Sequence, residues 1–449
     1  MNKKPKGKSQ VIPALTAQPS GYQFVLIGDP HTVTQGSQFQ AVNAVIDRLQ
    51  PPPEFVCLAG DHVWGCTEDE KALRDQWQQW FGQNKSLLTR RIFHCTANHT
   101  VIGPRSAALY GEQFPDIPNN GPTDGKKLNY YVREGDLLLV VVNTAWNPAC
   151  TETGDHGGEE VAAAWVDSVL IEHANAGHKL VMGHHPVFPV NGFGDGWLVE
   201  AKSGRNLWNL LVKHGVRAYL CAHVIAFDVQ VHEGVLQITS GGGGYPDFFG
   251  KQDTEYNHCV QLAMEPNRLR YQTLDTCGNV REWLDWPLLT PASETWPTVT
   301  PDHGLPTPTA IAVKNARQTC VVLLRLRGTH RDKGPQPILH GTDDISWIGI
   351  ENGRLCARLK PIISRNDKVE PDTMAWVGPT INEGPFDLQL AIHGGMGPGG
   401  FLFRRVDGHA WSSLDTKAWH GPSDGVWPKA WSLGKGVQAS CLVKKTTLE

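Results

Sequence analysis

No run in this sequence approaches the ~20 consecutive apolar residues that a membrane-spanning helix needs. Its basic start, MNKKPKGKSQ, is not followed by the apolar stretch of about 7–15 residues that marks a secretory leader; residues 1–21 read as a short mobile arm. Positive charge is not in excess, since 41 Lys and Arg face 45 Asp and Glu for a net charge of −4. Proteins that ride on nucleic-acid backbone are usually basic, so neither nucleic acid nor membrane is an expected partner. The 10 cysteines include no Cys-x-x-Cys pair, which removes the commonest redox and zinc-ribbon signatures. Cys57, Cys95 and Cys221 lie inside apolar runs, where a thiol behaves as a small hydrophobe. Reduced thiols and a cytoplasmic location are therefore expected. Apolar residues are not scarce: at 40% they exclude global disorder, and 449 residues exceed one ordinary core.

The first part of the chain alternates short apolar runs with helical spacing. Strands are predicted at Tyr22–Ile27, Phe55–Leu58, Arg91–Cys95, Lys179–Met182 and Ala218–Cys221, with a strand pair around Glu134-Gly135. Helices are predicted at 39–49, 72–81, 161–173 and 207–213. Such alternation implies an α/β sheet with helices on its faces. From Phe227 onward the pattern is β only. Six prolines between 287 and 308 suggest a linker. Beyond it, short β runs separated by turn signals such as Asn352-Gly353 predict an all-β sandwich. The expected division is 1–21 arm, 22–286 α/β domain, 287–308 linker and 309–449 sandwich.

Five polar motifs fall just past predicted strands: Gly28-Asp29-Pro30-His31, Gly60-Asp61-His62, Ala97-Asn98-His99, Gly183-His184-His185-Pro186 and Ala222-His223. Open α/β sheets build their sites at strand C-termini. Carboxylates mixed with imidazoles suit Mn, Fe or Zn, and an Asp at a strand end can bridge two ions about 3.5–4 Å apart. Any one motif alone is weak, because an isolated Asp-x-His is more often a turn and a His pair is more often surface or core. Five in order, each after a strand, form a specific signal.

With these motifs, residues 22–285 resemble the calcineurin-like metallophosphoesterase family. The resemblance implies a two-sheet sandwich flanked by helices, with one or two divalent ions at one edge. It implies Asp29 and His31 for the first metal, Asp61 as the bridge, and Asn98, His184 and His223 for the second. His99, with Asn98 and Asp61, would act on a phosphate ester, and a metal-held hydroxide would attack phosphorus in line. His185, His62 and Asp228 are expected in supporting positions. Three residues depart from the family pattern: Ile225 stands where a second His would ligate the first metal, Thr100 where a carboxylate follows Asn-His, and Trp64 where purple acid phosphatases carry an iron-binding Tyr.

Other segments carry less. Ser240–Gly244 could cradle a phosphate, but it follows a β run, so a loop passing the metal edge is preferred. Asn191, Phe193 and Trp197 are candidates for contact with the leaving group. The C-terminal segment loosely resembles concanavalin-like or laminin-G-like domains. That implies a glycan or homo-oligomer contact, although core positions for Trp347, Trp376 and Trp411 are preferred. The expected function is hydrolysis of phosphate esters, with diesters slightly favoured over monoesters. The alternative is a catalytically weakened scaffold that binds partners through its β domain.

Overall fold

The computed structural model describes residues 11–447, except 146–159, 191–195, 246–255, 289–297, 300–317, 362–373, 394–400, 406–411, 417–424, 427–430 and the short stretches at 33, 66, 102, 104, 124–126, 332–333, 344 and 414.

Two six-stranded sheets form the first two thirds. One runs in the order Val280–Trp286, Arg268–Asp275, His258–Glu265, Tyr22–Ile27, Phe55–Leu58 and Ile92–His94. Its last three strands are parallel, with Ile27 opposite Leu58 and Leu58 opposite His94. The other runs Phe227–His232, Val235–Ser240, Ala218–Cys221, His178–Met182, Leu137–Val141 and Tyr130–Glu134. The Leu137–Val141 strand shows why its sequence is apolar throughout. Leu137, Leu139 and Val141 enter the large core between the sheets. Leu138, Val140 and Val142 enter a second core with Val166, Leu170, Leu207 and Leu211, from the helices Ala163–Glu172 and Ala201–Lys213. A strand buried on both faces needs an unbroken apolar run rather than alternation.

The helix Ala201–Lys213 begins a full turn and a half earlier than its apolar residues indicate, because Glu200 caps it by accepting from the N–H groups of Lys202 and Ser203. The helix Ser106–Gln113 has no sequence counterpart among the expectations; Leu109 and Tyr110 are its only buried large apolar residues. The arm is also corrected from residue 11 onward. Ile12 pairs with Leu49, Leu15 is buried, and the Gln261 side chain accepts from the Leu15 N–H and donates to its carbonyl. Residues 1–10 lie outside the described residues.

Two antiparallel sheets make up the C-terminal part, with Leu324, Leu326, Ile348, Ile350, Leu388 and Leu390 among the residues of their shared core. This is the all-β unit expected from the sequence. Thr298–Val299 pairs with Gln438–Thr447, so a strand lies inside the stretch read as a linker; most of 287–308 is outside the described residues. Trp431 is core, and Trp347 is half-buried under the Arg358 guanidinium. The side chains of Trp376 and Trp411 are outside the described set.

Candidate metal centre

Parallel strands end at one edge, so their following loops meet there. The first sheet delivers Asp29, Asp61 and Asn98; the second delivers His184 and His223. Asp29, His31, Asp61 and His223 have φ of +54°, +39°, +50° and +68°. Non-glycine residues seldom adopt this region, and such strain gathers at functional sites. The backbone makes the bends rigid: Asp29 N–H donates to the Gly60 carbonyl and His31 N–H to the Asp61 carbonyl. Gly60, at φ +103°, has no room for a Cβ, which would stand 2.6 Å from His184 Nδ1.

Asp61 is the hub. Its Oδ2 lies 3.4 Å from His31 Nε2, 3.4 Å from His184 Nε2 and 3.9 Å from His99 Nε2. Asp29 Oδ1 is 3.7 Å from His31 Nε2, and Asp29 Oδ2 accepts from the His223 N–H at 2.9 Å. His184 Nε2 is 3.0 Å from Asn98 Oδ1 and 3.2 Å from His223 Nδ1. Two imidazoles have their orientation set from behind. His184 Nδ1 lies 2.7 Å from the Ala59 carbonyl and His99 Nδ1 lies 2.6 Å from the Trp64 carbonyl. A carbonyl only accepts, so each Nδ1 carries the hydrogen and each neutral ring turns its Nε2 lone pair toward the cluster.

The group is a set of acceptors aimed at one another inside the protein, which is costly without a cation among them. The side-chain atoms His31–Asp61–His99 and Asp61–His184–His223 each converge within 4.8 Å. Asp61 Oδ1 is buried with no hydrogen-bond partner among the described residues. This donor set fits divalent ions of the Mn, Fe and Zn kind. Burial pushes the Asp61 carboxyl up, but His99 and His184 outweigh it and hold the group well below the usual range. Burial also works against the charged form of His31, yet Asp29 and Asp61 raise it to about 9. Burial, with His185 and His184 beside it, holds His223 well below its usual value.

The supporting residues separate. His185 packs on the His223 ring at 4.2 Å, and its Nδ1 meets Thr144 Oγ1 at 3.0 Å. Thr144 Oγ1 also accepts from the N–H groups of His184 and His185, a role for a residue the motifs did not single out. Its signal is faint: a lone Thr three residues past an apolar strand. His62, by contrast, points away into the core, 3.0 Å from His94 and packed against Trp77, Trp80 and Phe114. Asp228 accepts from Gln230 Nε2 at 2.7 Å and is not among the converging groups. Ile225 is buried. The glycine loop passes the metal edge, as preferred from sequence: Gly243 N–H donates to the Gly28 carbonyl and Tyr245 N–H to the Asp29 carbonyl. Those amides are engaged in the fold. Trp197 lies 5.3 Å from the His223 ring; Asn191 and Phe193 are outside the described residues.

Residues 22–227 match the family model for calcineurin-like phosphoesterases. Tartrate-resistant acid phosphatase type 5 from rabbit (Oryctolagus cuniculus) is 23% identical over 250 residues, 50% of this chain and 74% of that protein. Among solved structures, purple acid phosphatase from yellow lupin (Lupinus luteus) seeds aligns over 60% of this chain and 54% of its own, with a TM-score of 0.45 and 15% identity. This chain thus spans about half the lupin protein's length. GAP50, the anchor in the inner membrane complex of Plasmodium, aligns over 61% of this chain and 91% of its own, with a TM-score of 0.43 and 15% identity.

Proposed function

We propose that this chain hydrolyses phosphate esters with the help of bound divalent ions, using the cluster centred on Asp61. The supporting observation is the convergence of three Nε2 atoms on Asp61 Oδ2 from three different loops. His184, His223 and Asn98 would hold one ion with Asp61; Asp29 and His31 would hold the other. Ions there would supply Lewis acidity toward the phosphoryl oxygens and an ionised water near neutral pH.

The chain's own groups do the positioning. Asn98 and His99 sit side by side at the mouth, and His99 is the more exposed, with 12% of its side chain open. The Trp64 carbonyl fixes the His99 ring so that Nε2 faces the group bound at Asp61. In its protonated form His99 donates from Nε2 to the oxygen of the departing alcohol. The strained loops keep these atoms in place before substrate arrives, so little reorganisation is needed in the transition state.

With Ile225 in place of an imidazole, the Asp29–His31 position has fewer ligands than its neighbour. It should bind its ion more weakly, and diesters, which carry less charge, should be favoured slightly over monoesters. The C-terminal sandwich serves domain packing, glycan contact or self-association in this reading, and the free thiols suit a reducing cytoplasm. The test is elemental analysis of protein purified without added metal, followed by Mn²⁺ titration of p-nitrophenyl phosphate and bis-p-nitrophenyl phosphate hydrolysis. One tightly held ion, and activity rising with a second weaker one, is the expected result. Absence of turnover with Mn, Fe or Zn supplied would favour the scaffold reading instead.

A further inference from the structure

Few large hydrophobic side chains of the described residues are exposed: Val11, Trp64 and Ile171. Of these, Trp64 stands at the candidate site. The residue is 39% exposed, and its ring centroid lies 4.7 Å from the His99 ring and 5.8 Å from the His31 ring. The Tyr245 ring lies nearly parallel to it, 10° apart in plane and 6.0 Å between centroids, and 4.7 Å from His31.

Both rings are anchored through their backbones to the catalytic loops. The Trp64 carbonyl receives the His99 Nδ1 hydrogen, and the Tyr245 N–H donates to the Asp29 carbonyl. Gly65 allows the chain to pass so close: a Cβ there would stand 1.5 Å from the His99 carbonyl oxygen. Exposing an indole to water is unfavourable by the apolar area left open, and here the ring is held open beside the proposed proton donor. A planar group stacked on a Trp face gains binding beyond what its buried area supplies.

We propose that Trp64, flanked by Tyr245, is a specificity-determining platform that binds a planar aromatic ring in the substrate, selecting aryl over alkyl phosphate esters. The inference rests on the phosphoesterase reading of the same site. The ring nearest His99 is where an ester's organic portion must lie if His99 protonates the leaving oxygen. Stacking there holds that oxygen within reach of Nε2.

The test uses the full-length protein loaded with Mn²⁺. Calorimetry compares phenylphosphonate with methylphosphonate, which differ in the organic group and cannot be hydrolysed as esters. Wild type should bind the phenyl compound about tenfold more tightly. Trp64→Ala should bring that ratio close to one, and Trp64→Phe should keep most of it. Both variants retain the backbone carbonyl that orients His99, and the replaced side chain is not part of the core. Equal affinities in wild type, or a ratio unchanged in Trp64→Ala, would overturn the proposal. Turnover of p-nitrophenyl phosphate by the same preparation separates the two readings. Protein that hydrolyses the ester but shows no phenyl preference loses only the platform. Protein that binds neither phosphonate and hydrolyses nothing loses both.

Discussion

Strain at Asp29, His31, Asp61 and His223 is a residue-scale cost that sequence does not display, since their backbone angles are set by neighbouring loops. The residues stand out because Asp and His recur just after apolar runs, and a hub at Asp61 follows from the family resemblance; the positive φ at each bend does not. Trp64 and Tyr245 are 181 positions apart, and no local pattern pairs them. The first residue prediction divides ligand from acid. Asp61→Ala should abolish activity and most metal binding. His99→Ala should lower turnover about 10²–10⁴-fold while elemental analysis finds the metal still there; loss of metal would make His99 a ligand. A second concerns Asp228, whose carboxyl burial pushes up to about 6. A raised folded-state pKa means the folded chain holds this proton more tightly than the unfolded chain. Stability is then lost as pH rises from about 4 to about 6 and stays lower above that. Asp228→Asn removes the penalty, so it should gain up to about 3 kcal/mol at pH 7 and almost nothing at pH 4. Urea unfolding at the two pH values measures it. If Asp228 instead completed the Asp29–His31 position, the variant would lose metal at pH 7.

At the scale of elements, strands were read well and helices less well. The Leu137–Val141 strand is apolar on both faces and bounded by turn residues, so its limits follow from its burial. The helix Ser106–Gln113 buries little, contains Gly111, and lacks an N-cap side chain, which leaves neither periodicity nor a start signal. Glu200, a less usual cap, hid the start of Ala201–Lys213. Asn352-Gly353 was readable for the opposite reason: both residues have positive φ, as a two-residue hairpin turn demands. The loop after Phe55–Leu58 offers the test at this scale. Gly60 combines φ +103° with contact distances that exclude a Cβ against Ala97 and His184. Gly60→Ala must move the His184 ring or the Asp61 bend. It should destabilise the fold by at least about 1–3 kcal/mol and reduce bound metal more than any change at a solvent-facing loop glycine such as Gly196. A variant with wild-type melting temperature and metal content would show that the loop has slack the geometry denies.

Across the whole molecule, the pattern changes from alternating α/β signals to β-only signals at Phe227, yet the strands from Phe227–His232 to Val280–Trp286 complete the first two sheets, and the contact between the parts was not legible. In the strand Gln318–His330, Leu324 and Leu326 face the sandwich core, while Leu323 faces the opposite way and joins the α/β core with its cross-strand partner Ala391. One strand thus serves two cores by alternation alone, which no composition argument would assign. All the proposed ligands lie within 29–223, so a protein ending near Thr290 should keep its metal and its unequal affinities. It should also expose the surface that Leu323 and Ala391 cover, lowering its melting temperature and solubility. Metal content, thermal unfolding and phosphate-ester turnover of that truncated chain against the full chain measure these effects separately. Retained metal with lowered melting temperature and retained turnover is the expected combination, because the sandwich packs on the α/β core without supplying a ligand. Folded, metal-loaded protein without turnover would mean that the sandwich reaches the reacting groups, and the division between chemistry and packing would have to be abandoned.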